Sequence, residues 1–134
     1  MDKALFSIKG EYVKKIFSSV KKVEYRKNCC NRKIDKMVIY ETSPICRIVG
    51  EVTVEEVVKD TPHNLWERTK DVSGVEKAFF DSYYSGRDVA YAYVLSNPVL
   101  YDRCVSLNEI GIKAAPQSFV YLSEEQYRVL INLL

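Results

Sequence analysis

The segment 20–27, VKKVEYRK, alternates apolar and charged side chains with the two-residue period of a β-strand. Val23 and Tyr25 fall on one face, whereas Lys22, Glu24 and Arg26 fall on the other, spaced about 7 Å apart. No other segment constrains the fold as strongly, because such a strand must border both an apolar core and a polar surface. The row of charges is either a solvated sheet surface or the floor of an anion-binding cleft.

The length and composition of the chain are those of one globular domain. The sequence has 134 residues, of which 47% are hydrophobic and 28% are charged, and this balance excludes a disordered chain. No apolar run approaches the roughly 18–20 residues that span a bilayer. The N-terminal segment contains Asp2 and has too short an apolar core for a signal peptide. We therefore expect a soluble, cytoplasmic protein that forms a single domain over residues 1–134.

The charge of the chain is mild overall but uneven along its length. A net charge of +2 does not by itself indicate nucleic-acid binding. Residues 9–36, however, contain ten basic and three acidic side chains, and the rest of the chain is net acidic. This asymmetry favours a polyanionic partner.

The cysteine pattern gives no indication of a metal site or a disulfide framework. The chain has four cysteines, Cys29, Cys30, Cys46 and Cys104, and one histidine, His63. Their spacing matches no paired zinc-binding pattern, so we expect reduced thiols, no metal and no cofactor.

The hydrophobic periodicity predicts alternating strands and helices. Strands are predicted at 4–9, 20–27, 36–42, 47–58, 89–95 with a continuation at 99–101, and 118–122. Helices are predicted at 11–19, 62–70, 75–84 and from residue 123 onward, with a single turn at 107–110. The pattern favours an α+β domain with a small, mostly antiparallel sheet or barrel and with helices inserted between the strands.

Local signals mark where several of these elements begin or bend. Thr61, Ser73 and Ser123 each occupy a position typical of a helix N-cap. Gly50 is predicted to form a bulge within its strand. The Asn97-Pro98 pair is expected to interrupt the strand that precedes it.

Four separated stretches together resemble the ASCH family (activating signal cointegrator homology), whose fold is a PUA-like β-barrel. The stretches are FSIK with its following helix, SVKKVEYR, YETSP followed by IVGE, and PQSFVYL. The second stretch is similar to the family pattern G-x-K-x-x-E-x-R, with Ser19 in place of the glycine. The resemblance extends over nearly the whole chain.

The resemblance implies a cleft beside the barrel that binds RNA or a nucleotide-like ligand. Carried over by position, the ligand-binding residues would be Lys9, Lys21, Glu24, Arg26, Ser43, Gln117 and Ser118. Lys21 and Arg26 would hold phosphate, with Arg26 acting through its planar fork. Glu24 would orient Arg26 or accept a hydrogen bond from a base amino group, and tyrosines would stack on an unpaired base.

The resemblance also implies two catalytic alternatives and one non-catalytic alternative. Some relatives resemble amidohydrolases of modified nucleosides that use a lysine, a threonine nucleophile and a glutamate. Lys21 matches the lysine, but Glu24 stands at the threonine position here. A ribonuclease would use the same lysine, glutamate and arginine for proton transfer and phosphate stabilisation. A protein-interaction module in transcription or translation would use the fold without the cleft. The catalytic residues and the oligomeric state stay open.

Overall fold

A computed structural model describes all residues from 1 to 134. The six strands are β1 (Asp2–Ile8), β2 (Val23–Arg26), β3 (Ile34–Glu41), β4 (Arg47–Asp60), β5 (Ala90–Val105) and β6 (Phe119–Leu122). The four α-helices are α1 (Gly10–Phe17), α2 (Pro62–Thr69), α3 (Lys77–Tyr83) and α4 (Glu124–Asn132), with 3-10 turns at Lys70–Val72 and Leu107–Ile110. None of the helices combines the length and apolar character that crossing a membrane requires.

The strands form one sheet in the order β2-β5-β4-β3-β1-β6. Four of its five pairings are antiparallel, and only β1 and β3 run parallel. The predicted mixed α+β class with a mostly antiparallel sheet is therefore confirmed.

The predicted closed barrel is not confirmed, because no backbone pairing joins the two edge strands, β2 and β6. The sheet nevertheless curls until β2 faces β1. Arg26 at the end of β2 donates to the Ser7 carbonyl oxygen over 3.1 Å, and its guanidinium lies 5.1 Å from the centre of the Phe6 ring. Since β1 is already paired along both edges, β2 contacts it only through side chains.

The bulges of β4 and β5 agree only partly with the prediction. The register between β4 and β5 shifts beside Gly50, as expected. A Cβ atom at this glycine would lie 2.5 Å from the Phe17 ring and from the Val99 carbonyl oxygen. Asn97 and Pro98, in contrast, do not end the strand: they lie within β5, where Asn97 has a φ of 47°. A bulge accommodates the proline because it has no N–H to donate.

Two of the three N-cap predictions are confirmed. The Thr61 side chain accepts from the Asn64 N–H, and Ser123 forms a capping box with Gln126. The Ser73 prediction is wrong, because α3 begins only after Glu76, which makes no side-chain cap. The intervening Gly74 has a φ of +68°, a left-handed conformation that cannot continue into a helix.

Three apolar clusters hold the sheet and its helices together. One is centred on Phe6, Ile39 and Tyr93 and packs against α1, and a second contains Leu5 and Leu130 and lies beneath α4. The third lies beneath the helical insertion, which we define as residues 62–83 between β4 and β5. It is formed by Val23, Tyr25, Leu65, Phe80, Tyr84, Ala90 and Ala92. This third cluster places the insertion directly over β2, the strand with the charged row.

Candidate functional site

A cleft of about 290 Å³ lies where the end of β1, the start of α1, β2 and α3 meet. It is lined by Ser7, Ile8, Lys9, Tyr12, Lys21, Glu24, Tyr25, Arg26, Val75, Phe79 and Tyr83. The charged residues come from the first 26 positions, whereas part of the apolar wall comes from the helical insertion. We call this concavity the cleft.

Lys21 is held at the base of the cleft with only 2% of its surface exposed. Its Nζ donates to the Ser73 carbonyl oxygen over 2.7 Å and lies 3.8 Å from Glu24 Oε1. The rings of Tyr12 and Tyr25 flank the ammonium group, with centroids at 5.5 and 5.0 Å. These contacts fix a cation that is removed from bulk water.

The helical insertion folds closely over the Lys21 side chain. A Cβ atom at Gly74 would lie 2.6 Å from Lys21 Cβ, so glycine is required there for close approach as well as for its positive φ. The Lys22 N–H also donates to the Val72 carbonyl oxygen over 2.9 Å. The lysine is thus buried by a segment far from it in sequence.

Burial changes the proton affinities of the groups in the cleft. Desolvation lowers the pKa of Lys21, although the nearby Glu24 carboxylate partly opposes this change. Burial also raises the pKa values of Tyr12, Tyr25 and Tyr83, so their hydroxyls remain protonated at neutral pH. The cleft therefore combines neutral phenol rings with a lysine that releases its proton more readily than an exposed lysine does.

Arg26 and Glu24 form the second charged pair of the cleft. The arginine Nε and one terminal nitrogen both donate to Glu24 Oε2, over 3.1 and 2.9 Å. The terminal nitrogens also donate to the Ser7 carbonyl oxygen and to Ser118 Oγ, over 3.1 and 3.2 Å. Since arginine has five N–H groups, these four bonds leave one for a ligand.

Two polar groups of the cleft, Glu24 Oε1 and the Lys9 ammonium group, remain free to contact a ligand. Glu24 Oε1 has only the 3.8 Å contact with Lys21 and can accept a further hydrogen bond. Lys9 is exposed at the rim and forms no ion pair or side-chain hydrogen bond. Lys9, Lys21 and Arg26 outnumber the single carboxylate, so the cleft attracts anions.

An aromatic wall stands opposite these charges. Phe79 is 42% exposed and stacks on Tyr83, with ring centroids 6.0 Å apart and an angle of 14° between the planes. The centroid of the Tyr12 ring lies 5.8 Å from that of Phe79. A solvent-exposed aromatic row beside cationic groups can stack with a planar ligand.

The structure places the predicted ligand-binding residues unequally. Lys9, Lys21, Glu24 and Arg26 line the cleft, and Ser118 contacts it through Arg26. Their part in binding a ligand stays a prediction.

Two predicted residues lie outside this set. Gln117 is exposed beside Ser118, and its side chain forms no hydrogen bond. Ser43 is exposed before a cis peptide bond to Pro44 and does not line the cleft.

The aromatic wall was not predicted from the sequence. Phe79 and Tyr83 are four residues apart on a predicted helix, and this spacing places both side chains on one helical face. The four-residue spacing indicates that the two rings share a helical face, but it does not indicate which strand that face covers.

The structure contains no metal-binding cluster. The four cysteines are free, and no three side chains of the types that commonly ligate metals lie close enough together to hold an ion.

Comparisons with known proteins agree in family and fold. The sequence model of the ASCH domain matches residues 6–101. A Zymomonas mobilis protein named ASCH domain-containing ribonuclease is 27% identical over 134 residues, covering 97% of this chain and 90% of that protein. The crystal structure of ASCH from Zymomonas mobilis superposes with a TM-score of 0.88 at 25% identity, covering 98% of this chain and 94% of that one.

A further similarity involves only part of a longer protein. The large ribosomal subunit protein uL22 of Ureaplasma parvum serovar 3 is 30% identical over 102 residues, which cover 76% of this chain. The match covers 33% of that protein, so the chain spans about a third of the length of this relative.

Proposed function

Because this chain belongs to the ASCH domain family, we propose that it binds RNA and holds one nucleotide unit in the cleft. The observation that carries the proposal is the position of a net cationic group, anchored on Glu24, opposite an exposed aromatic wall. Phosphate and base are the two parts of a nucleotide, and these two surfaces match them. A cytoplasmic location belongs to the same proposal.

The free groups of the cleft assign a role to each part of the nucleotide. The phosphate would contact Lys9 at the rim, together with the unused Arg26 N–H and the Ser118 hydroxyl. The base would stack on Phe79, and its amino group would donate to Glu24 Oε1. Most of the arginine fork is already engaged within the protein, so Arg26 contributes mainly charge and orientation to binding.

The size of the cleft favours one nucleotide over a folded strand. Its volume of about 290 Å³ lies just below the range of roughly 300–1,000 Å³ for small-molecule sites. A base in a duplex would have to leave its stack to enter the cleft, at a cost of a few kcal/mol. Single-stranded RNA avoids that cost and is the favoured ligand.

The binding experiment uses substitutions that leave the scaffold intact. Fluorescence anisotropy with a panel of short single-stranded RNAs, at two salt concentrations, compares the wild type with Phe79→Ala and Lys9→Ala. Both residues are exposed in the cleft, whereas Arg26→Ala would also remove the side-chain contact between β2 and β1.

We expect each variant to change a different property. Phe79→Ala should weaken binding by roughly 5- to 150-fold, corresponding to about 1–3 kcal/mol for a stacked base. Lys9→Ala should reduce the steepness with which the logarithm of the binding constant falls with the logarithm of the salt concentration, by about 0.7. The control Leu100→Ala removes an exposed apolar side chain outside the cleft and should change neither. Equal effects of Phe79→Ala and Leu100→Ala would contradict the proposed base-stacking site.

RNA cleavage is a second candidate, favoured by the similarity to the Zymomonas protein over nearly the whole chain. Burial lowers the pKa of Lys21, which raises the fraction of neutral amine that can accept the proton of a ribose 2′-hydroxyl. The 2′-oxygen would then bond to the adjacent phosphorus and displace the 5′-oxygen of the next nucleotide, which takes a proton from water, so that a 2′,3′-cyclic phosphate and a 5′-hydroxyl result. Arg26 would stabilise the negative charge that develops on the phosphate. The amidohydrolase alternative gains no support, because Glu24 at the nucleophile position is engaged by Arg26 and Lys21.

A gel assay separates cleavage from binding alone. Lys21→Met should abolish any shortening of the RNA while the RNA still binds, and a circular dichroism spectrum checks that the variant is folded. Intact RNA with the wild type would reject cleavage of the strands tested. Shortening that persists in the variant would exclude Lys21 as the base.

A further inference from the structure

A shallow surface depression of about 440 Å³, largely open to solvent, lies beside the cleft at the end of β2. It is lined by Lys27, Asn28, Gly86, Arg87, Asp88, Val89 and Tyr91. Lys27 directly follows the last residue of β2, and Arg87 lies in the turn after α3. We call this concavity the second cavity.

Tyr83 forms the boundary between the cleft and the second cavity. Its side chain lines the cleft, and Lys27 Nζ lies 4.8 Å from the centre of its ring. The Arg87 N–H donates to the Tyr84 carbonyl oxygen over 2.9 Å, which fixes this arginine beside the end of α3.

The cations of the second cavity are not neutralised within the protein. Lys27 and Arg87 form no ion pair, and Asp88, the only acid of the lining, forms none either. In the helical insertion, by contrast, Arg68, Lys70 and Lys77 each pair with an acidic side chain. The second cavity therefore presents a net positive charge of one, continuous across Tyr83 with the positive charge of the cleft.

We propose that an RNA strand leaves the cleft across Tyr83 and that a neighbouring phosphate binds Lys27 and Arg87. This inference rests on the proposed binding of a nucleotide in the cleft, and it identifies the ligand as a single-stranded polynucleotide rather than a free nucleotide. A free nucleotide would leave Lys27 and Arg87 without a partner. A strand would use the aromatic edge for an unpaired base and the two cations for its backbone.

The test compares ligand length and charge in the same protein. The probe is a fluorescein-labelled RNA pentanucleotide of mixed sequence, and the four nucleoside 5′-monophosphates serve as unlabelled competitors. The double variant Lys27→Ala/Arg87→Ala is compared with the control Lys14→Ala/Lys113→Ala, whose side chains are exposed, unpaired and outside both cavities. A gel checks that the pentanucleotide remains intact.

The proposal predicts a loss that is specific to the longer ligand. Lys27→Ala/Arg87→Ala should weaken pentanucleotide binding at least tenfold and lower the logarithmic salt slope by about 0.7, the value for the loss of one phosphate contact on a single strand. Competition by the monophosphates should be unchanged. The control removes the same total charge but should change the affinity by less than threefold.

Asp88→Asn tests the same proposal with a variant that should tighten RNA binding rather than weaken it. This substitution removes a negative charge but keeps a side chain of similar size. Taking away this carboxylate should tighten pentanucleotide binding by roughly two- to fivefold, as expected for one exposed charge interaction. Monophosphate binding should again stay the same.

The outcomes separate this inference from the proposed function. If Lys27→Ala/Arg87→Ala weakens binding no more than the control and Asp88→Asn has no effect, the second cavity takes no phosphate, while binding in the cleft still stands. If Phe79→Ala is also without effect and the monophosphates do not compete, the proposed binding in the cleft is itself wrong. In that case the inference fails with it.

Discussion

The substitution Glu24→Gln tests the buried charge pair on which the cleft is built. Lys21 is only 2% exposed, and Glu24 is its one acidic partner, 3.8 Å away. At that separation the attraction between two unit charges is about 4 kcal/mol at an effective dielectric constant near 20. Removing one partner of a buried pair typically costs about 3–5 kcal/mol, because the remaining charge stays desolvated. The Ser73 carbonyl oxygen still accepts from the lysine, so we expect a loss near the lower limit, about 3 kcal/mol.

A double-mutant cycle with Lys21→Met isolates the pair. Methionine keeps much of the length of the side chain but carries no charge, so Glu24→Gln in this background should cost only about 1 kcal/mol. That residual cost reflects the weaker contact that a neutral amide makes with Arg26, which donates twice to the native carboxylate. The expected coupling energy is then about 2 kcal/mol, within the range for residues in contact. Urea unfolding of the four proteins measures it, provided that the m-values agree.

An exposed ion pair is the matched control. Lys77 and Asp81 lie closer together, at 2.8 Å, but their side chains are 61% and 57% exposed. Asp81→Asn should therefore cost less than about 1 kcal/mol. If Glu24→Gln costs no more than Asp81→Asn, or if the coupling lies within about 0.5 kcal/mol of zero, burial does not strengthen the pair and the reasoning is refuted.

Three further predictions concern the packing and titration of buried groups. Gly74→Ala should lower the free energy of unfolding by more than Gly111→Ala does. Both glycines have positive φ values, but only at Gly74 would the new Cβ atom meet Lys21. Urea unfolding compares the two variants, and equal losses of stability would exclude the clash with Lys21. Burial lowers the pKa of Lys21 in the folded protein below its ordinary value of 10.5. At a pH between these two pKa values, Lys21 is mostly neutral in the folded protein but mostly protonated in the unfolded chain. The unfolded chain therefore binds more protons, and the free energy of unfolding should rise with pH in this interval. The difference in stability between wild type and Lys21→Met should therefore rise as pH approaches 10.5, and a flat or falling difference would contradict this. Tyr101→Phe should lower the free energy of unfolding by about 1.5–3 kcal/mol, because the tyrosine hydroxyl donates over 2.6 Å to the buried Glu51 carboxylate. Thermal or urea unfolding measures this change, and a decrease below about 0.5 kcal/mol would contradict a strong hydrogen bond to the charged carboxylate.

Local patterns in the sequence predicted most of the elements that position the cleft. The alternating row of β2 and the apolar spacing of α1 are properties of neighbouring residues, so they are visible before the chain folds. The motif resemblance placed Lys21, Glu24 and Arg26 together, and strand geometry requires Glu24 and Arg26 to share one face. Closure of the barrel was not predictable in this way, because it depends on whether two edge strands far apart in sequence meet.

Ser73 shows why a correct local signal can predict the wrong structure. The spacing from Ser73 to Glu76 is that of a capping box, but the serine is buried and its carbonyl oxygen accepts from Lys21. This tertiary contact and the left-handed Gly74 delay the helix until Lys77. A long-range interaction with a charged group thus outweighs a cap that local sequence favours.

The sequence by itself determined the order of the elements, the charged face of β2 and the cationic residues that approach it. Only the tertiary structure decided that Phe79 and Tyr83 form the opposite wall and that most N–H groups of Arg26 are used within the protein. The physical reason is that alternation and helical spacing report which side of an element is apolar, but hydrophobic burial is non-directional and does not specify the partner. The partner was selected when the helical insertion packed over β2, and that packing made a row of charges into a cleft.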